Sequence, residues 1–304
     1  MRKQIIIAGP TASGKTTLSL QIAYVLDAEI ISVDSRQCYK FLDIGTAKPS
    51  AEELKLIRHH NISVLNPDES DSVSDFKKRV DEYVSDIESR GKRVIFCGGS
   101  TLHLQSLIRP LDDIPESNEE NILQLTNLAD IEGIDSLFEE LKRVDPEYAE
   151  KMDGQNRQRI IRALDVWKQT GKPFSSFHSD EPFELPPNMT LFELHHPRKE
   201  LHNRISARTE KMIESGLVEE VKAILNLGFD KNMQSLQTVG YREAIHFLEG
   251  KITRQEMIEK VKTSTRRYAK RQITWLRRWP FKTQLDMGRL TGDEAIKKVL
   301  ASLK

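Results

Sequence analysis

Residues 4–26 constrain the fold of this chain more than any other stretch. Gly9-Pro10-Thr11-Ala12-Ser13-Gly14-Lys15-Thr16 follows the spacing G-x-x-x-x-G-K-[ST]. The β-branched run before it, Gln4-Ile5-Ile6-Ile7-Ala8, suits a buried parallel strand. After it, Leu18, Ile22, Ala23, Val25 and Leu26 recur at roughly helical spacing. Strand, glycine loop and helix in that order let backbone N–H groups and a helix N-terminus surround a phosphate. Lys15 adds a positive charge and Thr16 offers a hydroxyl to Mg²⁺. The motif predicts an α/β fold of the P-loop NTPase type, a doubly wound parallel sheet, and a phosphorylated ligand.

The chain up to Ile108 keeps the alternation of strand and helix. Glu29–Val33, Asn61–Leu65 and Arg93–Cys97 read as buried strands, and helices are expected at Ser50–Ile57, Val73–Arg90 and Thr101–Ile108. From Asp112 to Pro187 the strand pattern stops. Amphipathic segments at Asn118–Leu128, Ile134–Val144, Pro146–Lys151 and Asn156–Gln169 lead into a polar, Pro-containing stretch, Gly171–Pro187. Residues 112–187 are therefore expected to form a helical insertion, a lid or clamp, set into a core of 1–111 and 188–304. Met189–His195 reads as a strand rejoining the sheet. Beyond Pro197 only helices are expected: Arg198–Ser215, Val218–Leu227, Val239–Leu248 and a long one from Thr253 to Leu276.

Composition narrows the class. With 304 residues, 38% hydrophobic and 30% charged, the chain suits one large or two modest globular domains. No run approaches the ~20 apolar residues of a membrane span, and the N-terminus reads as a strand rather than a secretory signal. Two cysteines, Cys38 and Cys97, are too few for a disulfide framework or a zinc site, so a reducing cytoplasm is expected. Both read as small buried hydrophobes. His59-His60 and His195-His196 lack metal-ligand spacing and read as strand-edge histidines.

The formal charge of zero sums two opposed regions. Between Asp112 and Asp153 fourteen acids stand against Lys142, Arg143 and Lys151, and are expected to form a solvated face. Between Lys262 and Lys282 there are eight bases and no acid. On the helix expected there, Arg266, Lys270 and Arg277 share a face and Tyr268, Gln272 and Trp275 define another stripe. Such a helix either binds single-stranded nucleic acid by phosphate contact and stacking, or is a solvated basic helix with Trp275 and Trp279 in the core. Arg159 and Arg162 either grip the same ligand or are surface arginines of an amphipathic helix.

A P-loop NTPase usually carries an Asp after a later apolar strand. Here Arg93–Cys97 runs instead into Gly98-Gly99-Ser100-Thr101. The acid is Asp34, at the end of the second strand, where the carboxyl rim of a doubly wound sheet would place it beside the phosphate loop. It can hold a metal-bound water, accept a proton, or simply bond its own turn.

Several strings resemble, in order and spacing, the bacterial tRNA dimethylallyltransferase family. They are the Gly9–Thr16 loop, Asp34-Ser35-Arg36-Gln37, Asp43-Ile44-Gly45-Thr46-Ala47-Lys48-Pro49 and Gly98-Gly99-Ser100. Arg159-Ile160-Ile161-Arg162-Ala163-Leu164, Val239-Gly240-Tyr241-Arg242 and Thr265–Arg277 continue the match over nearly the whole chain. The resemblance implies transfer of a dimethylallyl group from dimethylallyl diphosphate to N6 of the adenosine 3′ of the anticodon. Mg²⁺ is the implied cofactor and the tRNA anticodon stem-loop the implied partner; no membrane is implied, and a monomer is expected. By the same resemblance Gly9, Pro10, Thr11, Ala12, Ser13, Gly14, Lys15 and Thr16 hold diphosphate, with Thr16 on the metal. Asp34 is the general base, Lys15 and Arg208 meet the departing diphosphate, and Ser100 stands where the family usually has Thr. The segments that would touch RNA are Asp34, Ser35, Arg36 and Gln37; Ser100; Gln158, Arg159, Ile160, Ile161 and Arg162; and Gln237, Thr238, Val239, Gly240, Tyr241 and Arg242. Lys270, Arg271, Gln272, Ile273, Thr274, Trp275, Leu276 and Arg277 complete them. The chain departs from the family at His103, where a Tyr is common, near Ile122, where an Arg is, and at Gln237-Thr238, which replaces a small pair.

The chemistry is consistent without the name. An exocyclic adenine amine is a poor nucleophile and needs a proton acceptor, which Asp34 can be. No nucleotide is hydrolysed, so no second acid is required. A P-loop small-molecule kinase would need that acid. An isopentenyltransferase for free adenine nucleotides would not need the Lys262–Lys282 stripe, and a non-catalytic RNA-binding protein would not need Lys15, Thr16 and Asp34 together.

Overall fold

A computed structural model describes residues 2–152, 154, 156–178 and 184–303. Asp153 and residues 179–183 of the polar stretch lie outside the described residues. The chain divides into two compact units, one comprising Met1–Arg109 with Glu184–Lys304, the other Pro110–Phe183.

The first unit is built on β1 (Gln4–Ala8), β2 (Ala28–Val33), β3 (His59–His60), β4 (Arg93–Gly98), β5 (Met189–His195) and β6 (Thr283–Asp286). All the pairings are parallel, in the order β3-β2-β4-β1-β5-β6. Every residue of β1 and β2 is buried, as strands covered on both faces require. In chain order, α1 (Lys15–Leu26), α2 (Ala51–Leu56), α3 (Val73–Ser89) and α4 (Thr101–Ile108) follow the early strands. In the second unit lie α5 (Glu119–Glu132), α6 (Ile134–Val144), α7 (Pro146–Glu150) and α8 (Arg157–Thr170). The first unit ends with α9 (Arg198–Glu214), α10 (Leu217–Asn226), α11 (Tyr241–Leu248), α12 (Arg254–Leu276) and α13 (Gly292–Ala301). Ile5, Ile7, Ile30, Ile95 and Phe192 of the sheet pack with Leu18, Ile22 and Ala23 of α1 and Ala295 and Val299 of α13. A separate core joins α9–α12 around Tyr39, Leu42, Leu217, Val221, Tyr241 and Met257.

Two expectations need correcting. Asn61–Leu65 is not a strand; pairing stops at His60 because Asn61 (φ 59°) and Ser63 (φ 52°) are left-handed and turn the chain out of the ladder. Leu65 keeps only an isolated bridge to Tyr39. Nor is everything beyond Pro197 helical, since β6 extends the sheet beyond β5; a further helix, α13, follows it and packs against α1. Within β6 only Leu285 is buried, too little pattern to reveal a strand before its partner is known.

Glu29, at the start of β2, is 3% exposed. It accepts from Arg90 Nη1, from Arg90 Nη2 at 2.8 Å and from His60 Nε2 at 2.7 Å. The Arg90 bonds hold its carboxyl down at about 2, against the burial that would raise it. Because the folded value lies below that of the unfolded chain, this stabilisation is present above pH ~4.5 and lost as pH falls toward ~2. Glu29→Gln should cost about 3 kcal/mol at neutral pH, as removal of one partner of a buried ion pair does. It should also flatten the acid limb of urea-unfolding midpoints; an unaltered acid limb would locate the acid sensitivity elsewhere.

In the second unit Leu125, Leu137, Leu141, Ile160, Leu164 and Val166 form the core. Its acids are not uniformly solvated, contrary to the charge pattern. Asp145 is 1% exposed. It caps α7 through Tyr148 N at 3.0 Å and accepts from Ser175 N and Oγ, each at 2.7 Å. These bonds pin the 3₁₀ turn Phe174–Phe177 to the start of α7.

Candidate active site

The carboxyl ends of β1, β2 and β4 converge on one rim. With parts of α9, α12 and residues 237–242 they surround a cavity of about 450 Å³. Thr11, Lys15, Thr16, Asp34, Ser35, Arg36, Gln37, Gly99, Arg208, Tyr268, Arg271 and Gln272 line it. A cavity at the point where strand order reverses is where open α/β sheets bind ligands.

The loop is shaped from within. Gly14 has φ 93° where α1 begins, a conformation glycine adopts without strain. Lys15 Nζ donates to Gly9 O at 3.0 Å and Pro10 O at 2.8 Å, which fastens the ammonium across the loop's mouth. Burial brings its pKa down to about 8; Cys97 and Asp34 oppose that shift and Arg208 adds to it. Burial also lowers Arg208, with Asp34 pulling the other way. Lys15, Arg208 and Asp34 are thus within electrostatic reach of one another. Two further loop positions are tied to other parts of the protein. Ser13 is buried beneath the loop, its carbonyl accepting from His196 Nε2 at 2.9 Å. Thr11 N donates to Gln272 Oε1 at 2.8 Å, so this amide is used within the protein.

Of the roles its position allows, the structure shows Asp34 bonding its own turn. Its Oδ1 accepts from Arg36 N at 2.8 Å and Gln37 N at 3.3 Å, a turn bonding itself. Both bonds fall on one oxygen, which leaves Oδ2 for a ligand in the cavity. Ser100 is buried and does not line the cavity; its Oγ accepts from Ser35 N at 3.0 Å and steadies the Asp34 turn from behind. Gln37 reaches across, donating through Nε2 to Thr46 O at 3.2 Å and Ala47 O at 3.1 Å, and so holds the Asp43–Pro49 loop as a wall.

The segments expected to touch RNA divide by burial. Ile160, Ile161, Tyr241 and Leu276 are buried and brace their segments, whereas Gln272, also buried, borders the cavity. Tyr241 donates to Glu220 Oε1 at 2.6 Å. Arg162 pairs with the buried Asp165 at 2.6 Å and donates to Pro115 O, which makes it part of the second unit's own structure. Arg242 pairs with Glu243 at 3.0 Å yet stays exposed and lines the cavity. Gln237, Lys270, Arg271, Thr274 and Arg277 are exposed, as are Gln158 and Arg159 in the second unit. Arg266 is half-buried and donates to Ser206 Oγ at 2.9 Å. Trp279 is 2% exposed, edge-on to the half-buried Trp275 at 4.6 Å.

Sequence reasoning noticed Tyr268 only as part of a stripe with Gln272 and Trp275, and missed Glu220. Tyr268 lines the cavity next to Asp34 and Ser100, and burial pushes its phenol up to about 12. Its spacing of one helical turn from Gln272 was the available signal. Glu220 accepts from the amides of Asp43, Ile44 and Gly45 at 3.0, 2.8 and 3.3 Å, fixing the same wall that Gln37 holds; nothing in its surroundings in sequence marks it. Cys38 is buried, its thiol raised to about 12 by burial, whereas Cys97 lines the cavity beside Lys15. His103 is buried edge-on against Phe76 at 4.4 Å. Ile122 packs on the core of the second unit. Among the described residues no group of three or more His, Cys, Asp or Glu is placed to hold a metal, and no helix is long and apolar enough to cross a membrane.

Sheet order, glycine loop and rim cavity define an α/β protein of the P-loop class. The IPP transferase family model matches residues 37–279, and the chain belongs to that family. It is 41% identical over 274 residues to tRNA dimethylallyltransferase 2 of Geotalea daltonii, a match covering 90% of this chain and 84% of that one. The full-length tRNA isopentenylpyrophosphate transferase of Bacillus halodurans is similar in structure, with TM-score 0.73 and 35% identity, covering 100% of this chain and 97% of that one. A eukaryotic dimethylallyltransferase acting on tRNA is similar too, with TM-score 0.83 and 27% identity over 99% of this chain and 78% of that one.

Proposed function

We propose that this chain transfers the dimethylallyl group of dimethylallyl diphosphate to N6 of the tRNA adenosine 3′ of the anticodon, position 37, releasing diphosphate. The observation that carries the reading is one cavity bounded by Lys15, Thr16 and Arg208 and by Asp34, beside a helix with a basic exposed face. Its relatives' shared activity supports it. In the step, the bond from the allylic carbon to the diphosphate oxygen breaks and one from N6 to that carbon forms. Asp34 takes the N6 proton, positioned acid–base help typically worth ~10²–10⁴-fold. Lys15 and Arg208 meet the charge that develops on the diphosphate. The target base must leave its stack to reach the rim, which costs least in a loop. Thr16 lines the cavity with a hard oxygen donor, which suits Mg²⁺; bound there, the ion would add positive charge beside the leaving group.

Gln158 and Arg159 are the residues through which the insertion would clamp RNA. Lys270 on α12 and Arg277 at its C-terminal cap, both exposed, would hold RNA phosphates. Lys270→Ala combined with Arg277→Ala should weaken tRNA binding and reduce the log–log salt slope by about 1.5, two released counterions' worth. An unchanged slope in filter binding would remove α12 from the RNA interface.

Incubation with dimethylallyl diphosphate, Mg²⁺ and either unmodified tRNA or AMP, followed by nucleoside mass spectrometry, tests the function. Prenylated adenosine in the tRNA alone is expected. Product on AMP only would favour the free-nucleotide enzyme, and product on neither would refute both.

A further inference from the structure

Gln272 was grouped with RNA-touching residues, but its side chain is 3% exposed. Its Oε1 accepts from Thr11 N at 2.8 Å, and its Nε2 donates to Gly99 O at 2.8 Å. One amide thus ties together three segments remote in sequence: the loop after β1, the rim after β4, and α12. A carboxamide offers an acceptor and a donor at one end; an ionised carboxylate has no donor and a thioether has no donor and only a weak acceptor. The fit is tight, since a Cβ on Gly99 would stand 2.4 Å from Nε2. Lys270 and Arg271 precede Gln272 on the helix, exposed, and Arg271 lines the cavity. Thr11 opens the loop that ends in Lys15 and Thr16. A shift of α12 therefore either carries Thr11 and Gly99 with it or breaks buried hydrogen bonds, which is costly.

We propose that Gln272 is a positioning residue that couples the two substrate sites, so that RNA held on α12 and diphosphate held in the loop strengthen each other's binding. The inference rests on the function proposed above. Such coupling is reciprocal and commonly about 5–150-fold.

Titration calorimetry of the full chain with inorganic pyrophosphate and Mg²⁺, with and without a saturating anticodon stem-loop RNA, tests it. In the unaltered protein the RNA should tighten pyrophosphate about tenfold. Gln272→Met should bring that ratio below about twofold, while affinity for RNA alone stays within about threefold. Circular dichroism checks folding; should Gln272→Met not fold, Gly99→Ala, which disturbs the same amide from the other side, is read by the same criterion. A folded Gln272→Met that keeps the tenfold ratio overturns the proposal. So does an unaltered protein that prenylates tRNA yet binds the two ligands independently, a result that leaves the function standing. Failure of the unaltered protein to bind RNA or pyrophosphate removes the functional reading, and the coupling with it.

Discussion

Asp34→Asn lowers the single-turnover rate of prenyl transfer by about 10³-fold while tRNA affinity stays within a few-fold. Asn is the informative replacement. Its Oδ1 still accepts from Arg36 N and Gln37 N, so the turn at the end of β2 persists. What disappears is the basicity of the second oxygen. Asp34→Ala would release the turn as well and mix a structural loss with a chemical one. Stopped reactions with tRNA already bound, set beside filter binding of the same RNA, separate the two quantities. A variant that binds RNA poorly but reacts at the normal rate once bound would make Asp34 an RNA-holding residue.

Lys15→Met is expected to reduce kcat/KM for dimethylallyl diphosphate by about 10²–10³-fold, the usual consequence of removing one group that meets developing charge. The unaltered protein supplies a second signature. Its Lys15 ammonium titrates near 8, chiefly through burial. The diphosphate binds the charged form, so the favourable state is complete below that pH and declines above it. At pH 9 about a tenth of the molecules carry the charge, and apparent affinity should fall about tenfold per further pH unit until the value in the complex is reached. Bound anion raises that value, so binding above pH 8 takes up a proton. Lys15→Met should lose this limb. A flat profile from pH 7 to 10 in the unaltered protein, or the same limb in both, would show that Lys15 is not the group titrating.

The residues most legible in sequence were those whose roles are set by near neighbours in the chain. Gly9–Thr16 declares itself because strand, loop and helix are contiguous, and Asp34 because a strand end marks the rim. Position along the chain could not say which face of α12 is turned inward. Gln272 and Arg271 adjoin, yet one is buried against Thr11 and Gly99 and the other is exposed. Arg266, counted with the basic face, is tied down by Ser206 on α9, whereas Lys270 is exposed. Helical periodicity assigns angles around an axis but not the neighbours that occupy them.

The same division holds for the protein as a whole. Local pattern determined the parallel sheet, the helical insertion and the phosphate loop, because hydrophobic periodicity and glycine placement act over a few residues. Motif order along the chain pointed to the prenyl-transferring family. Tertiary structure alone decided that β6 joins the sheet and that Glu220 and Gln37 hold the Asp43–Pro49 wall. It alone decided, too, that Gln272 braces the loop from α12. Those outcomes depend on hydrogen bonds between groups up to 261 positions apart, and no local preference of the chain encodes which donor meets which acceptor.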